Sequence, residues 1–310
     1  MNKIFIDGSA GTTGLRIRER LEARDDIELL TLSEELRKDA AARKEMLNRA
    51  DVVFLCLPDD AAREAVGMID NPNVVVLDTS TAHRTLEGWC YGFPELSPEQ
   101  EARVKASKRI AVPGCHASGL IALIYPLIHN GLLPRDALLT CTSLTGYSGG
   151  GKKMIAQYEE DGRDALLGAP RQYGLTQQHK HLKEMQAITG LVNAPAFLPI
   201  VADFYSGMEV TVPLFRSQLC NGAGAEEIRA IYRQAYHTPL LSYKDDADEQ
   251  GFLSAAALSG KDSMQISVHG NDERILLCAR YDNLGKGASG AAIECLNLVL
   301  GADPYLGLEL

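Results

Sequence analysis

Between residues 3 and 112, short unbroken apolar runs alternate with helical patterns, and this alternation limits the fold more than any other feature of the chain. The runs are Lys3-Ile4-Phe5-Ile6, Asp51-Val52-Val53-Phe54-Leu55-Cys56-Leu57-Pro58 and Val74-Val75-Val76-Leu77, and a second strand reads over residues 27–32. A strand that is apolar at every position is buried on both faces, as in a parallel sheet covered by helices. Helical spacing at Leu15, Ile17 and Leu21, along a segment ending at Leu47 and over residues 61–69 supplies the cover. The expectation is a doubly wound α/β sheet that binds ligands outside the carboxyl ends of its strands. There the first glycine turn, Leu57-Pro58, Asp78-Thr79-Ser80 and Pro113-Gly114-Cys115 should converge.

The first strand runs into Asp7-Gly8-Ser9-Ala10-Gly11-Thr12-Thr13-Gly14 and then into the first helix. Strand, glycine turn and helix make a phosphate cradle, because glycines let the backbone approach a pyrophosphate and the helix start presents free N–H groups. Gly8, Gly11, Thr12, Thr13 and Gly14 are the expected cofactor contacts. The spacing is GxxGxxG and not GxGxxG, so the position between strand and helix carries the argument. An NAD-selective site would place a carboxylate after the second strand, against the ribose 2′-hydroxyl. This chain has Ser33 there, with Arg37 and Lys38 nearby, which favours NADP. Glu34 and Glu35 are equally close, and the alternative puts all four charges on the solvated face of the helix running to Leu47.

Pro113-Gly114-Cys115-His116-Ala117-Ser118-Gly119 sets one thiol after a turn and before Leu120-Ile121-Ala122-Leu123-Ile124, which reads as a buried helix. At a helix start the thiol meets unpaired N–H groups and the positive end of the helix dipole, and both favour thiolate. The alternative is a small apolar residue filling a gap. If the thiol reacts, the same N–H groups are the candidate donors to a tetrahedral oxygen.

Beyond Cys115 the pattern changes. Residues 137–144 and 208–214 read as strands, and residues 264–269 and 275–281 flank Gly270-Asn271-Asp272-Glu273 as a hairpin. Helices over residues 226–236 and about 179–188 would cover one face of a largely antiparallel sheet, making this second domain α+β. Near the end, small residues at 285, 287, 288 and 290 allow a helix to pack closely on backbone or cofactor, with Asn283 read as a cofactor contact.

A chain of 310 residues, 45% of them hydrophobic, suits about two domains. The boundaries read as 1–114 for cofactor binding, rejoined by a helix at about 287–310, and 115–286 for catalysis and oligomerisation. A net charge of −10 opposes binding to nucleic acid or acidic membranes. Seven scattered cysteines without a CxxC pair form neither a disulfide framework nor a zinc knuckle, and they imply a reducing compartment such as the cytoplasm. The longest apolar stretch, residues 120–128, is broken by Pro126 and is too short for a bilayer. The strand at residue 3 leaves no room for a targeting segment before it. His179 and His181 lack the i,i+4 spacing of helical zinc ligands, so no metal is expected.

Four segments occur in order: the Pro-Gly-Cys turn, Leu144-Thr145-Gly146-Tyr147-Ser148-Gly149-Gly150-Gly151-Lys152, His179-Lys180-His181-Leu182-Lys183-Glu184 and Asp282-Asn283-Leu284-Gly285-Lys286-Gly287-Ala288. Together they resemble the short form of the N-acetyl-gamma-glutamyl-phosphate reductases of arginine biosynthesis, over nearly the whole chain. The resemblance implies a Rossmann-type domain, NADPH, an acyl phosphate substrate, an aldehyde product and a homo-oligomer. It implies Cys115 as nucleophile, His179 as catalytic histidine supported by Glu184, and Tyr173 as a pocket residue. Local spacing argues otherwise for the histidines, since His181 and Glu184 are i,i+3 neighbours in a helix. His181 is counted with the substrate contacts. Ser148 and Gly149, in the loop before Lys152, suit a phosphate or carboxylate. Arg84 offers a guanidinium fork for a substrate carboxylate, or else a surface salt bridge. The chain has Cys-His-Ala-Ser where the longer members have Cys-Tyr-Pro-Thr, which leaves the thiol in register and its surroundings open. The competing functions are a related acyl-phosphate reductase, such as an aspartate-semialdehyde dehydrogenase, and a nonenzymatic NADP sensor.

Overall fold

Each apolar run becomes a strand. In the computed structural model, which describes residues 1–310, β1 (Asn2–Asp7), β2 (Ile27–Leu30), β3 (Val52–Leu55), β4 (Val75–Asp78), β5 (Cys90–Tyr91) and β6 (Arg109–Ala111) form a six-stranded sheet ordered β2-β1-β3-β4-β6-β5. All its pairs are parallel. Alternate side chains of β1 explain why both faces need cover. Ile4 and Ile6 pack with Ile17 and Leu21 of α1 (Thr12–Glu22) and with Ile293 and Leu296 of α9 (Gly290–Leu300). Phe5 packs on the other face with Leu47 of α2 (Ala40–Arg49) and Ala62 of α3 (Asp59–Gly67). The chain leaves β1 toward β2 on one side and returns to β3 on the other, so the order reverses at the ends of β1 and β3.

Two boundaries differ from the sequence reading. Strand β2 stops at Leu30, and residues 34–38 are turns, because the Ser33 carbonyl accepts from Leu36 and Arg37. Helix α2 starts only at Ala40, where the Asp39 carboxylate caps it by accepting from Ala42 N–H at 2.8 Å.

The chain divides into two units, Met1–Pro94 with Glu99–Pro113 and Ala288–Leu308, and Glu95–Pro98 with Gly114–Gly287 and Glu309–Leu310. The second unit holds a seven-stranded sheet ordered β11-β12-β13-β10-β7-β9-β8. Its strands are β7 (Thr140–Gly146), β8 (Arg171–Gln172), β9 (Ala196–Ala202), β10 (Met208–Phe215), β11 (Leu241–Tyr243), β12 (Met264–Gly270) and β13 (Arg274–Tyr281). The sheet is mixed, since β7–β9 and β11–β12 are parallel and the other pairs antiparallel.

Helix α5 (Cys115–His129) is buried along most of its length and packs on β10, β13, α7 (Leu182–Thr189) and α8 (Ala225–Ala235). It tolerates Pro126 in its interior for a visible reason. Proline has no N–H for the Ala122 carbonyl, and the Tyr236 hydroxyl donates to that carbonyl at 2.7 Å while Tyr232 donates to Leu123 at 2.5 Å. Gly119 lets the helix approach the sheet, because a Cβ there would lie 2.6 Å from Val210 Cγ2 and 2.7 Å from the Tyr281 hydroxyl.

Candidate active site

In the first unit, the glycine turn lies over the end of β3. Gly8 has φ +91°, and a Cβ on it would come within 2.3 Å of the Cys56 carbonyl oxygen. Gly14 is equally confined, with its would-be Cβ 2.6 Å from the Gly8 oxygen. Gly11 is the N-cap of α1, with no side chain capping the helix and no acid in its first turn, and a Cβ there would meet little. No capping side chain and no acid of the first turn therefore competes for the amides at the start of α1. Ser33 is exposed, while Arg37 forms an ion pair with Glu34. Arg84, expected to bind substrate, is buried and donates from Nε to the Val112 carbonyl at 2.9 Å and from Nη2 to that of Thr79 at 3.0 Å. It fastens the ends of two strand segments together.

In the second unit, Cys115 is the first residue of α5, with Gly114 as an extended N-cap and no side-chain cap. It is only partly buried, unlike Cys90, Cys141, Cys278 and Cys295. A Cβ on Gly287 would lie 3.0 Å from Cys115 Cβ, so a larger residue would crowd the thiol. The Tyr281 hydroxyl accepts from Gly119 N–H at 3.0 Å and donates to the Cys115 carbonyl at 2.5 Å, which fixes the first turn. Glu184 accepts from Gly114 N–H at 3.1 Å through Oε2, while its Oε1 lies 3.9 Å from His181 Nε2.

Helix α7 begins later than expected, at Leu182, with His181 as its N-cap. Glu184 therefore faces His181, as the spacing suggested, and also ties α7 to the residue before the thiol. His179 precedes the helix, and its Nδ1 accepts from the His181 backbone N–H at 3.2 Å. A neutral ring so bonded carries its proton on Nε2. Burial, then the Lys180 charge, holds His179 below the ordinary imidazole value.

At the centre of this cluster is His116. Its Nδ1 lies 2.7 Å from Ser143 Oγ and its Nε2 lies 2.6 Å from the Tyr173 hydroxyl. The rings of Tyr173, His179, His181 and Phe197 surround it at centroid distances of 5.4–6.0 Å. Burial above all, then His179 and Lys180, pushes His116 down to about 3. Burial and the nearby Cys115 push the Tyr173 hydroxyl upward. No group of three or more His, Cys, Asp or Glu side chains is arranged to hold a metal ion.

Residues 3–104 match the semialdehyde dehydrogenase NAD binding domain, and residues 115–283 match the semialdehyde dehydrogenase dimerisation domain. N-acetyl-gamma-glutamyl-phosphate reductase 2 of Nostoc sp. (strain PCC 7120) is 46% identical over 99% of this chain and 99% of its own length. The N-acetyl-gamma-glutamyl-phosphate reductase of Chelativorans sp. (strain BNC1) is 47% identical over 96% and 98%. The chain belongs to the N-acetyl-gamma-glutamyl-phosphate reductase family. Among solved structures, aspartate semialdehyde dehydrogenase II of Vibrio cholerae superposes with a TM-score of 0.73 over 97% of this chain and 98% of that one, at 17% identity. The Candida albicans aspartate semialdehyde dehydrogenase with NADP gives 0.66 over 97% and 99%, also at 17%. At that identity the likeness is one of fold.

For a member of this reductase family, the first unit is an NAD(P)-binding domain, and the uncapped start of α1 beside three glycines fits a pyrophosphate. In the second unit, the structure brings Tyr173, His179 and His181 around His116, the neighbour of Cys115, with Glu184 bonded to Gly114 on the thiol's other side. Ser148 and Gly149 are placed together with Asn283 instead. Asn283 is buried, accepts from Gly207 N–H at 2.9 Å and donates to Ser148 Oγ at 3.0 Å, so its amide braces the loop. His116, Ser143 and Tyr281 join the site without a role expected from the sequence. The signal for His116 was its place beside Cys115 in a departure from the longer members; Ser143 and Tyr281 gave none beyond lying on strands. No helix is long and apolar enough to cross a membrane.

Proposed function

We propose that this protein reduces N-acetylglutamyl 5-phosphate to N-acetylglutamate 5-semialdehyde, with NADPH as reductant and Cys115 as nucleophile. The observation that carries the proposal is a partly exposed thiol on the first residue of an uncapped, otherwise buried helix, beside a neutral histidine cluster. The helix start and the Nε2–H of His179 favour the thiolate. Cys115 Sγ attacks the acyl carbon, the carbon–oxygen bond to phosphate breaks, and a thioester remains. Bound NADPH supplies the hydride. The tetrahedral oxygen then collapses to the aldehyde as the carbon–sulfur bond breaks, and the backbone N–H groups that open α5 stabilise its charge.

Glu184 holds Gly114 and faces His181, which shapes the approach to Cys115. Ser148, Gly149 and the amides opening α6 (Gly151–Glu159), with Lys152 in its first turn and no acid there, suit the substrate's anionic end. Arg84 acts on the substrate by holding the peptides of Thr79 and Val112. For the cofactor, Ser33 in place of a carboxylate after β2 supports NADPH over NADH. The dimerisation-domain match and the exposed Leu138, Phe215 and Leu276 support a homo-oligomer built through the second unit. Seven free cysteines fit a reducing cytoplasm.

The test is the reverse reaction. Phosphate-dependent reduction of NADP with N-acetylglutamate semialdehyde should exceed that with aspartate semialdehyde, and that with NAD, by about tenfold or more in kcat/KM. Equal or better turnover of aspartate semialdehyde would transfer the protein to the related dehydrogenase reading.

A further inference from the structure

We propose that His116 is a positioning residue: Ser143 holds it as the Nε2–H tautomer, and this turns the Tyr173 hydroxyl into a hydrogen-bond donor to the acyl oxygen carried on Cys115. The inference rests on the reading of Cys115 as nucleophile and adds the residue that orients its neighbour.

Ser143 is fully buried on β7, and the one group its side chain meets is His116 Nδ1. If Nδ1 carried the ring proton, that N–H would donate to Ser143 Oγ and leave the serine's own buried proton without an acceptor, which is the expensive arrangement. With Nδ1 bare, Ser143 donates to it and the ring proton sits on Nε2. That N–H points at Tyr173 Oη, 2.6 Å away, so the tyrosine oxygen accepts. Its own proton must then point elsewhere. No other side-chain partner engages it, and the ring that holds the tyrosine oxygen belongs to His116, the residue next to Cys115. An imidazolium would need two acceptors in a buried cage that also faces His179 and Lys180, and burial forbids it down to about pH 3. The chain Ser143→His116→Tyr173 therefore has one direction, and it ends in the Tyr173 hydroxyl as a donor. A donor at a developing oxyanion is worth about 10²–10³ in kcat.

The first measurement needs no turnover. In protein labelled with ¹⁵N in its histidine rings, His116 should show a bare Nδ1 and a protonated Nε2 from about pH 5 to about pH 9. A protonated Nδ1, or a titration inside that range, overturns the proposal. The second compares variants of similar size. His116→Gln keeps an amide N–H for Tyr173 and should hold kcat within about tenfold of the parent. His116→Met removes the donor and should lower kcat by about 10²-fold with KM within about threefold, as should Tyr173→Phe, and the double variant should be no slower than either. Equal losses for Gln and Met, or losses confined to KM, would show a packing role only. If the parent lacked reductase activity while the tautomer stood, the Cys115 reading would fail and take the donor role of Tyr173 with it.

Discussion

The two sites of this protein are built from different materials. In the first unit the cradle is backbone: amides at the start of α1, opened by glycines whose would-be side chains collide with the Cys56 and Gly8 carbonyls. In the second unit the cluster is side chain: His116, next to Cys115 on α5, with a serine from β7, a tyrosine following β8, two histidines before α7 and Phe197 from β9. A backbone site recognises charge and leaves identity open, whereas a side-chain cluster fixes where each proton sits. The first suits a cofactor shared by many enzymes, the second a particular acyl group.

The most severe way to separate the two is Cys115→Ser. Kcat should fall by about 10⁴-fold or more, while NADPH binding followed by fluorescence stays within about twofold of the parent. Residual turnover within tenfold of the parent would exclude this thiol as the nucleophile. Gly11 offers the converse experiment. Its φ is −75°, so other residues fit, and Asp is a favoured N-cap. Gly11→Asp should leave thermal stability unchanged or slightly raised, because the carboxylate suits the end of the helix. The same charge repels a pyrophosphate, so the Kd for NADPH should rise by about 10²-fold, with the reactivity of Cys115 toward an alkylating agent unaffected. A cofactor affinity equal to the parent's would place the dinucleotide elsewhere.

The same contrast explains what the sequence could convey. The doubly wound sheet was legible because β1, β3 and β4 lie in contiguous apolar runs and the helices between them have their own period, whereas the short β5 and β6 carry no such run. Cys115 was legible because a helix start is a local event. Boundaries were missed where one short polar contact decides them. Asp39 caps α2 and so shortens the expected helix, and the bond from His181 N–H to His179 Nδ1 accompanies a delayed start of α7. His116 was out of reach for a different reason, since Ser143 and Tyr173 lie 27 and 57 positions away and meet it only through the sheet. Tyr236, which restores the acceptor that Pro126 leaves bare, is 114 positions from Ala122. The amide of Asn283, read as a cofactor contact, spans Gly207 and Ser148, partners 76 and 135 positions away that no local pattern reveals.

The smallest effect concerns stability, and it sharpens the difference between a neutral side-chain site and a charge-binding backbone site. An unfolded histidine takes up a proton near pH 6.5, whereas His116 in the fold refuses one until about pH 3. Between those values the unfolded chain binds more protons, so this group leaves stability untouched above about pH 6.5 and lowers it as pH falls through the window. The slope is about 1.4 kcal/mol per pH unit, or about tenfold in the folding equilibrium. His179 and His269 are also held below their ordinary values and add slope to the parent protein, so the informative quantity is a difference between proteins. His116→Gln removes one titrating group and should flatten the fall in the urea midpoint between about pH 7 and about pH 5 relative to the parent. Identical slopes would mean that His116 takes up its proton within the folded cluster, and a cage that admits a cation could not hold the hydroxyl of Tyr173 to one direction.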